Sequence, residues 1–180
     1  MAKILPRKFR TEWFHFWYSR SWRYKYLGFK QIDHTSQYLF DNSKNLIFLT
    51  GSGRSGTQFF ANFLNSQSEI MSFHEPNFRE DVGTMDLLRR NKDLILPYYK
   101  KFRNLEIFKR MNLVPQKPIY CEVNGTIRYH LPALNTLFPK SKKLLIIRNG
   151  ASVVRSLIPW NQFYNKYSKG AYALEPLESD

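Results

Sequence analysis

Glycines, serines and a single arginine stand together at Gly51-Ser52-Gly53-Arg54-Ser55-Gly56-Thr57, between two apolar stretches. Such a loop suits an anion. Glycines let backbone N–H groups approach it closely, and the start of a following helix favours negative charge there. A second set of reactive groups is His74-Glu75-Pro76, an imidazole and a carboxylate in sequence, both able to move protons. A third is Arg148, which follows an apolar run, with Ser156 on the next predicted helix. A guanidinium offers a planar fork for phosphate oxygens, and a helical hydroxyl adds a further donor.

These residues need elements to hold them. Leu46-Ile47-Phe48-Leu49 reads as a fully buried strand, and Phe59, Phe60, Phe63 and Leu64 recur at helical spacing after the loop. Ile70–Phe73 reads as a second strand, with His74 and Glu75 at its carboxyl end, where open α/β sheets place their ligands. Residues 84–113 read as helical, with Pro97 marking a break or a fresh start. Pro118–Val123 is a third strand that ends at Asn124-Gly125, and 131–138 a short helix with Pro132 in its first turn. Leu144–Ile147 reads as a clearly buried fourth strand, followed by a helix through Ser152–Ile158 that Pro159 stops. Strands alternating with helices predict an α/β fold, a three-layer α/β/α arrangement around a parallel sheet.

The 180 residues carry a net charge of +14, with 43% hydrophobic and 17% aromatic content. That length predicts one domain, and that charge an anionic partner. The single cysteine, Cys121, excludes an intramolecular disulfide and a cysteine-based zinc site, and reads as an inert buried thiol. No run approaches the ~20 apolar residues of a membrane span. The expectation is a soluble, cytoplasmic protein with no metal.

Residues 1–44 read as a separate arm ahead of a domain at 45–180. Basic side chains interleave there with aromatics, and Trp13, Phe14, Trp17 and Tyr18 share one helical face. The face could pack on the domain, lie on a membrane surface through residues 1–30, or stack on nucleic acid, in that order of preference.

The spacing Gly51-x4-Gly56 fits the first half of a nucleotide P-loop, but Thr57 and Gln58 stand where a lysine and a hydroxyl residue are required. The cation is Arg54 instead. Arg54-Ser55-Gly56-Thr57 after a strand resembles the 5′-phosphosulfate loop of sulfotransferases, which bind 3′-phosphoadenosine 5′-phosphosulfate (PAPS). Ile146-Ile147-Arg148-Asn149-Gly150, with Ser156 eight positions after Arg148, resembles the 3′-phosphate motif of the same family. Phe138-Pro139 and the lysines that follow resemble its approach to that strand. The departures are Gln58 for a second threonine, Asn149 for aspartate and Gly150 for proline.

The resemblance spans roughly 45–158. It implies a sulfotransferase core in which Gly53, Arg54, Ser55, Gly56, Thr57 and Gln58 hold the 5′-phosphate, and Arg148 and Ser156 the 3′-phosphate. It implies in-line sulfuryl transfer, with Arg54 stabilising the leaving phosphate, from PAPS to a hydroxyl or amine of a small-molecule, saccharide or lipid acceptor, leaving 3′-phosphoadenosine 5′-phosphate (PAP). Glu75, 21 positions after Arg54, resembles the base of tyrosylprotein sulfotransferases. His74 is the second candidate base and Glu122 the third. Glu75 competes with a purely structural role, paired with an arginine such as Arg79 or capping a helix.

Nothing after Gly170 resembles the late basic, glycine-containing segment that completes the family's nucleotide site, so the expectation is a chain truncated at the C-terminus, a minimal family member, or one that binds without turnover. Two other classes remain. A P-loop kinase or NTPase is weakened by the missing lysine and by Arg148 where an aspartate would hold Mg²⁺. A non-enzymatic basic protein that binds membranes or nucleic acid accounts for the charge but leaves Arg54, Arg148 and Ser156 without a purpose.

Overall fold

The structure is a computed structural model that describes residues 29–77 and 92–158. Helix α1 (Phe29–Asp41) leads through a short 3₁₀ turn into β1 (Leu46–Gly51). The anion-type loop then gives way to α2 (Thr57–Asn65) and β2 (Ile70–His74). A helical segment follows as α3 (Ile95–Tyr98), a π turn (Tyr99–Arg103) and α4 (Asn104–Met111). After it come β3 (Ile119–Val123), a 3₁₀ turn (Gly125–His130), α5 (Leu131–Leu137), β4 (Lys142–Ile146) and α6 (Gly150–Leu157).

The four strands form one parallel sheet in the order β2-β3-β1-β4. Strand alternation divides the interior in two, since successive side chains point to opposite faces. Leu46, Phe48 and Tyr120 enter one core with Leu39, Ile95, Tyr98, Tyr99, Ile107, Ile127, Leu134 and Phe138. Leu49, Cys121 and Val123 enter the other with Ala61 of α2. Helices therefore cover both faces of the sheet, the three-layer α/β/α fold that the sequence predicts. Among the described residues no helix is long and apolar enough to cross a membrane.

Several local expectations shift. Pro97 is a fresh start rather than a break: it falls in the first turn of α3, where its missing N–H has no intrahelical partner to lose. Pro132 likewise opens α5. The segment 84–91, read as helical, lies outside the described residues, as does the aromatic face at Trp13–Tyr18.

The arm does not end at residue 44. Helix α1 is part of the domain, with Leu39 fully buried, the Tyr38 ring edge-on to Phe108 at 5.2 Å, and Asn104 Nδ2 donating to Ser36 Oγ at 3.0 Å. Its amphipathic face is what binds it there, and the basic composition of its surroundings hides that face in the sequence.

The fourth strand is the larger correction. β4 runs Lys142–Ile146 rather than Leu144–Ile147, and it is exposed: Leu144 is 48% and Leu145 65% accessible. Among the described residues it lies at the sheet edge with β1 as its strand neighbour, and there an apolar run that reads as buried lacks cover. On α2, Ala61 and Leu64 face the sheet, whereas Phe59 and Phe63 stack on each other in the exposed surface, 6.2 Å apart.

Candidate functional site

The carboxyl ends of all four strands meet at the loop after β1. Gly51 closes β1, and Ser55 N donates to Ser52 O at 3.1 Å to fold the loop back. A Cβ on Gly51 would stand 2.5 Å from Ser55 Oγ, so only glycine admits this turn. Gly56, at φ 104°, caps α2 with no side chain in the way. Phe60 N donates to Gly56 O, so the amides of Thr57 and Gln58 fall in the first turn, which has no intrahelical acceptor to offer them. Ser55 Oγ is buried beneath this turn with no hydrogen-bond partner. A buried hydroxyl left alone is costly.

The two distant residues arrive on this loop. Arg148 Nη1 donates to Arg54 O at 2.8 Å across 94 residues, and Arg54 Nε donates to Ser156 Oγ at 3.0 Å across 102 residues. They come as the sequence suggests, Arg148 just past β4 and Ser156 on α6. Asn149 starts that helix: its Oδ1 accepts from Ser152 N, the N-cap that an aspartate could also make. The contact between Arg54 and Ser156 is itself new, since the sequence assigns them to different phosphates.

His74 ends β2, and its Nε2 lies 3.1 Å from Thr57 Oγ1 on the first turn of α2. Glu75 follows in a left-handed conformation, φ 44°, with its N–H donating to Val123 O at 3.0 Å. Arg54 is the other non-glycine residue with positive φ among the described residues, at 66°. Such backbone costs of order 1–3 kcal/mol and persists where surroundings impose it, which is common in functional sites. Both strained residues are ones that the sequence singles out for chemistry. The segment after Glu75 is anchored from α4, where Arg110 donates to Pro76 O at 3.1 Å and lies over the Phe73 ring. Arg79, the proposed competitor for Glu75, lies outside the described residues.

Two residues the sequence reading places elsewhere complete the geometry. A Cβ on Gly125 would lie 3.3 Å from Gly51 O and 3.9 Å from Glu75 Oε1, so this turn brings the Glu75 carboxylate beside the loop. The turn is held by Asn124, whose Oδ1 accepts from Thr126 N and Oγ1 at 2.9 and 2.7 Å. Asn-Gly is a legible turn signal, but nothing local says that it abuts β1.

Gln58 contributes no side chain: its Nε2 turns along α2 to Asn62 Oδ1 at 3.2 Å. Gly53 is exposed, and a Cβ there would meet nothing within 4 Å.

Glu122 is removed from the candidate bases. Period-two alternation turns it, with Tyr120, to the face opposite α2, where it is fully buried. Arg103 from the π turn grips both of its carboxylate oxygens, at 2.5 and 2.6 Å, and Tyr120 and Asn124 donate to it as well. A carboxylate so enclosed has no route to an acceptor. Burial raises the Tyr120 hydroxyl well above its ordinary value, with Glu122 adding to the effect. Burial, then Arg103, pushes His130 down to about 4; its Nδ1 lies 3.2 Å from Tyr99 Oη and its Nε2 has no partner. Cys121 is fully buried in the α2-side core, and burial pushes its thiol up to about 11, far from a reactive thiolate.

Compared with models of known protein families, with curated proteins and with solved structures, the chain matches none.

Proposed function

We propose that this chain binds PAPS and transfers its sulfuryl group to an acceptor hydroxyl or amine. The observation that carries the reading is the convergence of Arg148 and Ser156 on Arg54, at 2.8 and 3.0 Å, over a loop whose buried Ser55 Oγ has no partner. Two guanidinium groups, a helical hydroxyl and first-turn amides make a strongly anion-seeking surface, and charge-assisted bonds to phosphate are the strong kind. The space beside Gly53 and Gly56, where a Cβ would meet nothing within 4 Å, leaves room for the ligand.

In this reading Ser55, Gly56, Thr57 and the Gln58 amide hold the 5′-phosphate, while Arg148 and Ser156 take the 3′-phosphate. Ser156 must then exchange Arg54 Nε for a phosphate oxygen, which frees the Arg54 guanidinium to neutralise charge at the 5′-phosphate. PAPS supplies an activated sulfuryl group for in-line transfer. Glu75, held beside Gly51 by its left-handed backbone, is the base that takes the acceptor's proton. The acceptor is a small molecule, a saccharide or a lipid. The kinase-like alternative lacks support from the loop, where Thr57 and Gln58 occupy the positions of the phosphate-binding lysine and hydroxyl.

Calorimetric titration with PAP, against ATP and 5′-AMP, tests the reading. Micromolar binding that requires the 3′-phosphate is expected, with Arg148→Ala weakening it by roughly 10- to 100-fold, the value of a charge-assisted bond. A preference for Mg·ATP, or no binding of PAP, overturns it.

A further inference from the structure

We propose that His74 is a positioning residue that aims the Thr57 hydroxyl at the bound phosphate, rather than a base for the acceptor. The inference rests on the anion site proposed above and assigns a task to a contact that the reading does not use. His74 Nε2 and Thr57 Oγ1 are 3.1 Å apart, and one proton lies between them. Thr57 has a single O–H to give.

If the ring carries hydrogen on Nε2, it donates to Oγ1 and the threonine proton points away, toward the loop. If Nε2 is bare, Thr57 donates to the ring and presents lone pairs to the loop instead. A phosphate offers only acceptors to that hydroxyl, so the first arrangement binds it and the second repels it. Thr57 stands at the first position of α2, next to Gly56, where the first-turn amides also point. The independent sign of a ligand in that place is Ser55 Oγ, on a residue only 6% accessible and without a partner. His74 is held for this task by β2, whose register places it level with Val123 at the carboxyl end of β3.

The same geometry argues against a base. The ring nitrogen nearest the loop is occupied by Thr57, while the neighbouring Glu75 carboxylate lies beside the Gly51 and Gly125 backbone, where an acceptor would be met.

A double-mutant cycle on the full chain tests the proposal, with PAP and inorganic phosphate as probes and calorimetry as the readout. Thr57→Val and His74→Ala are each expected to weaken binding roughly tenfold, and the double variant no more than either alone, because one hydrogen bond to the phosphate is lost in all three. His74→Gln, which keeps an N–H donor near the position of Nε2, is expected to recover most of the loss. Nitrogen NMR of the His74 ring in the phosphate-bound chain should show hydrogen on Nε2. Wild-type affinity in His74→Ala overturns the proposal, as do additive losses in the double variant or a bare Nε2. Binding of inorganic phosphate without PAP would defeat the PAPS reading alone, and the cycle then decides on phosphate. Binding of neither defeats both.

Discussion

Two polar clusters lie close together at the carboxyl end of this sheet, built from similar side chains and put to opposite uses. Around Glu122, both buried carboxylate oxygens accept hydrogen bonds, from Arg103, Tyr120 and Asn124, themselves buried. Around Arg54, the backbone is strained, Arg148 and Gly53 are exposed, and the buried Ser55 hydroxyl has no partner. The difference teaches that charge alone does not mark a site. A buried pair with its carboxylate oxygens taken holds structure, whereas cations gathered on a strained, accessible loop are suited to an anion.

The comparison breaks if the two clusters respond alike to substitution. Glu122→Gln leaves the Arg103 guanidinium buried without its counter-charge, and about 3–5 kcal/mol of stability should be lost. Denaturant midpoints would read this, with PAP affinity unchanged in whatever fraction remains folded. In the open cluster the pattern should invert. Glu75→Gln is expected to slow sulfuryl transfer by about 10²–10⁴-fold, the usual value of a general base, while the melting temperature and PAP affinity stay near wild type. A Glu75→Gln chain that loses stability instead would place Glu75 in the structural class with Glu122.

The smallest expected effect sharpens the sealed side. His130, held down to about 4 against an ordinary 6.5, stays neutral in the folded chain while the unfolded chain takes up a proton. Its contribution is therefore complete above about pH 6.5 and is lost as pH falls toward 4, by at most about 3 kcal/mol. Stability measured across that window should decline, and His130→Gln should flatten the decline. A slope that survives the substitution would belong to another group.

The loop with its flanking strand and helix was legible because it rests on local signals: a short apolar run, glycines, a helical period. Arg148 and Ser156 were singled out, but not that both would meet Arg54. Glu75 was legible by its place after a strand. What the sequence concealed was topological. Leu144-Leu145-Ile146-Ile147 is apolar enough for a buried strand, but apolarity does not say which strand stands at the edge. Glu122 looked available because Arg103, 19 residues upstream in a helical stretch, gave no sign of turning inward. α1 was hidden among basic and aromatic residues, although Leu39 is fully buried in the core.

The position of β4 has a consequence for how the molecule breathes. Among the described residues, β1 and β3 are bordered by strands on both sides, while β4 pairs with β1 alone and exposes Leu144 and Leu145. Amide hydrogens over residues 142–157 should therefore exchange with solvent earlier than those of β1 and β3, as a unit of low local stability. That unit carries Arg148 and Ser156, whereas the loop follows the central strand β1, and His74 and Glu75 lie at the end of β2, the opposite edge strand, whose Met71 and Ser72 are buried. The proposed anion site would thus join a loop on a central strand to a loosely attached flank, and a bound dianion would be the clasp that slows exchange in the flank.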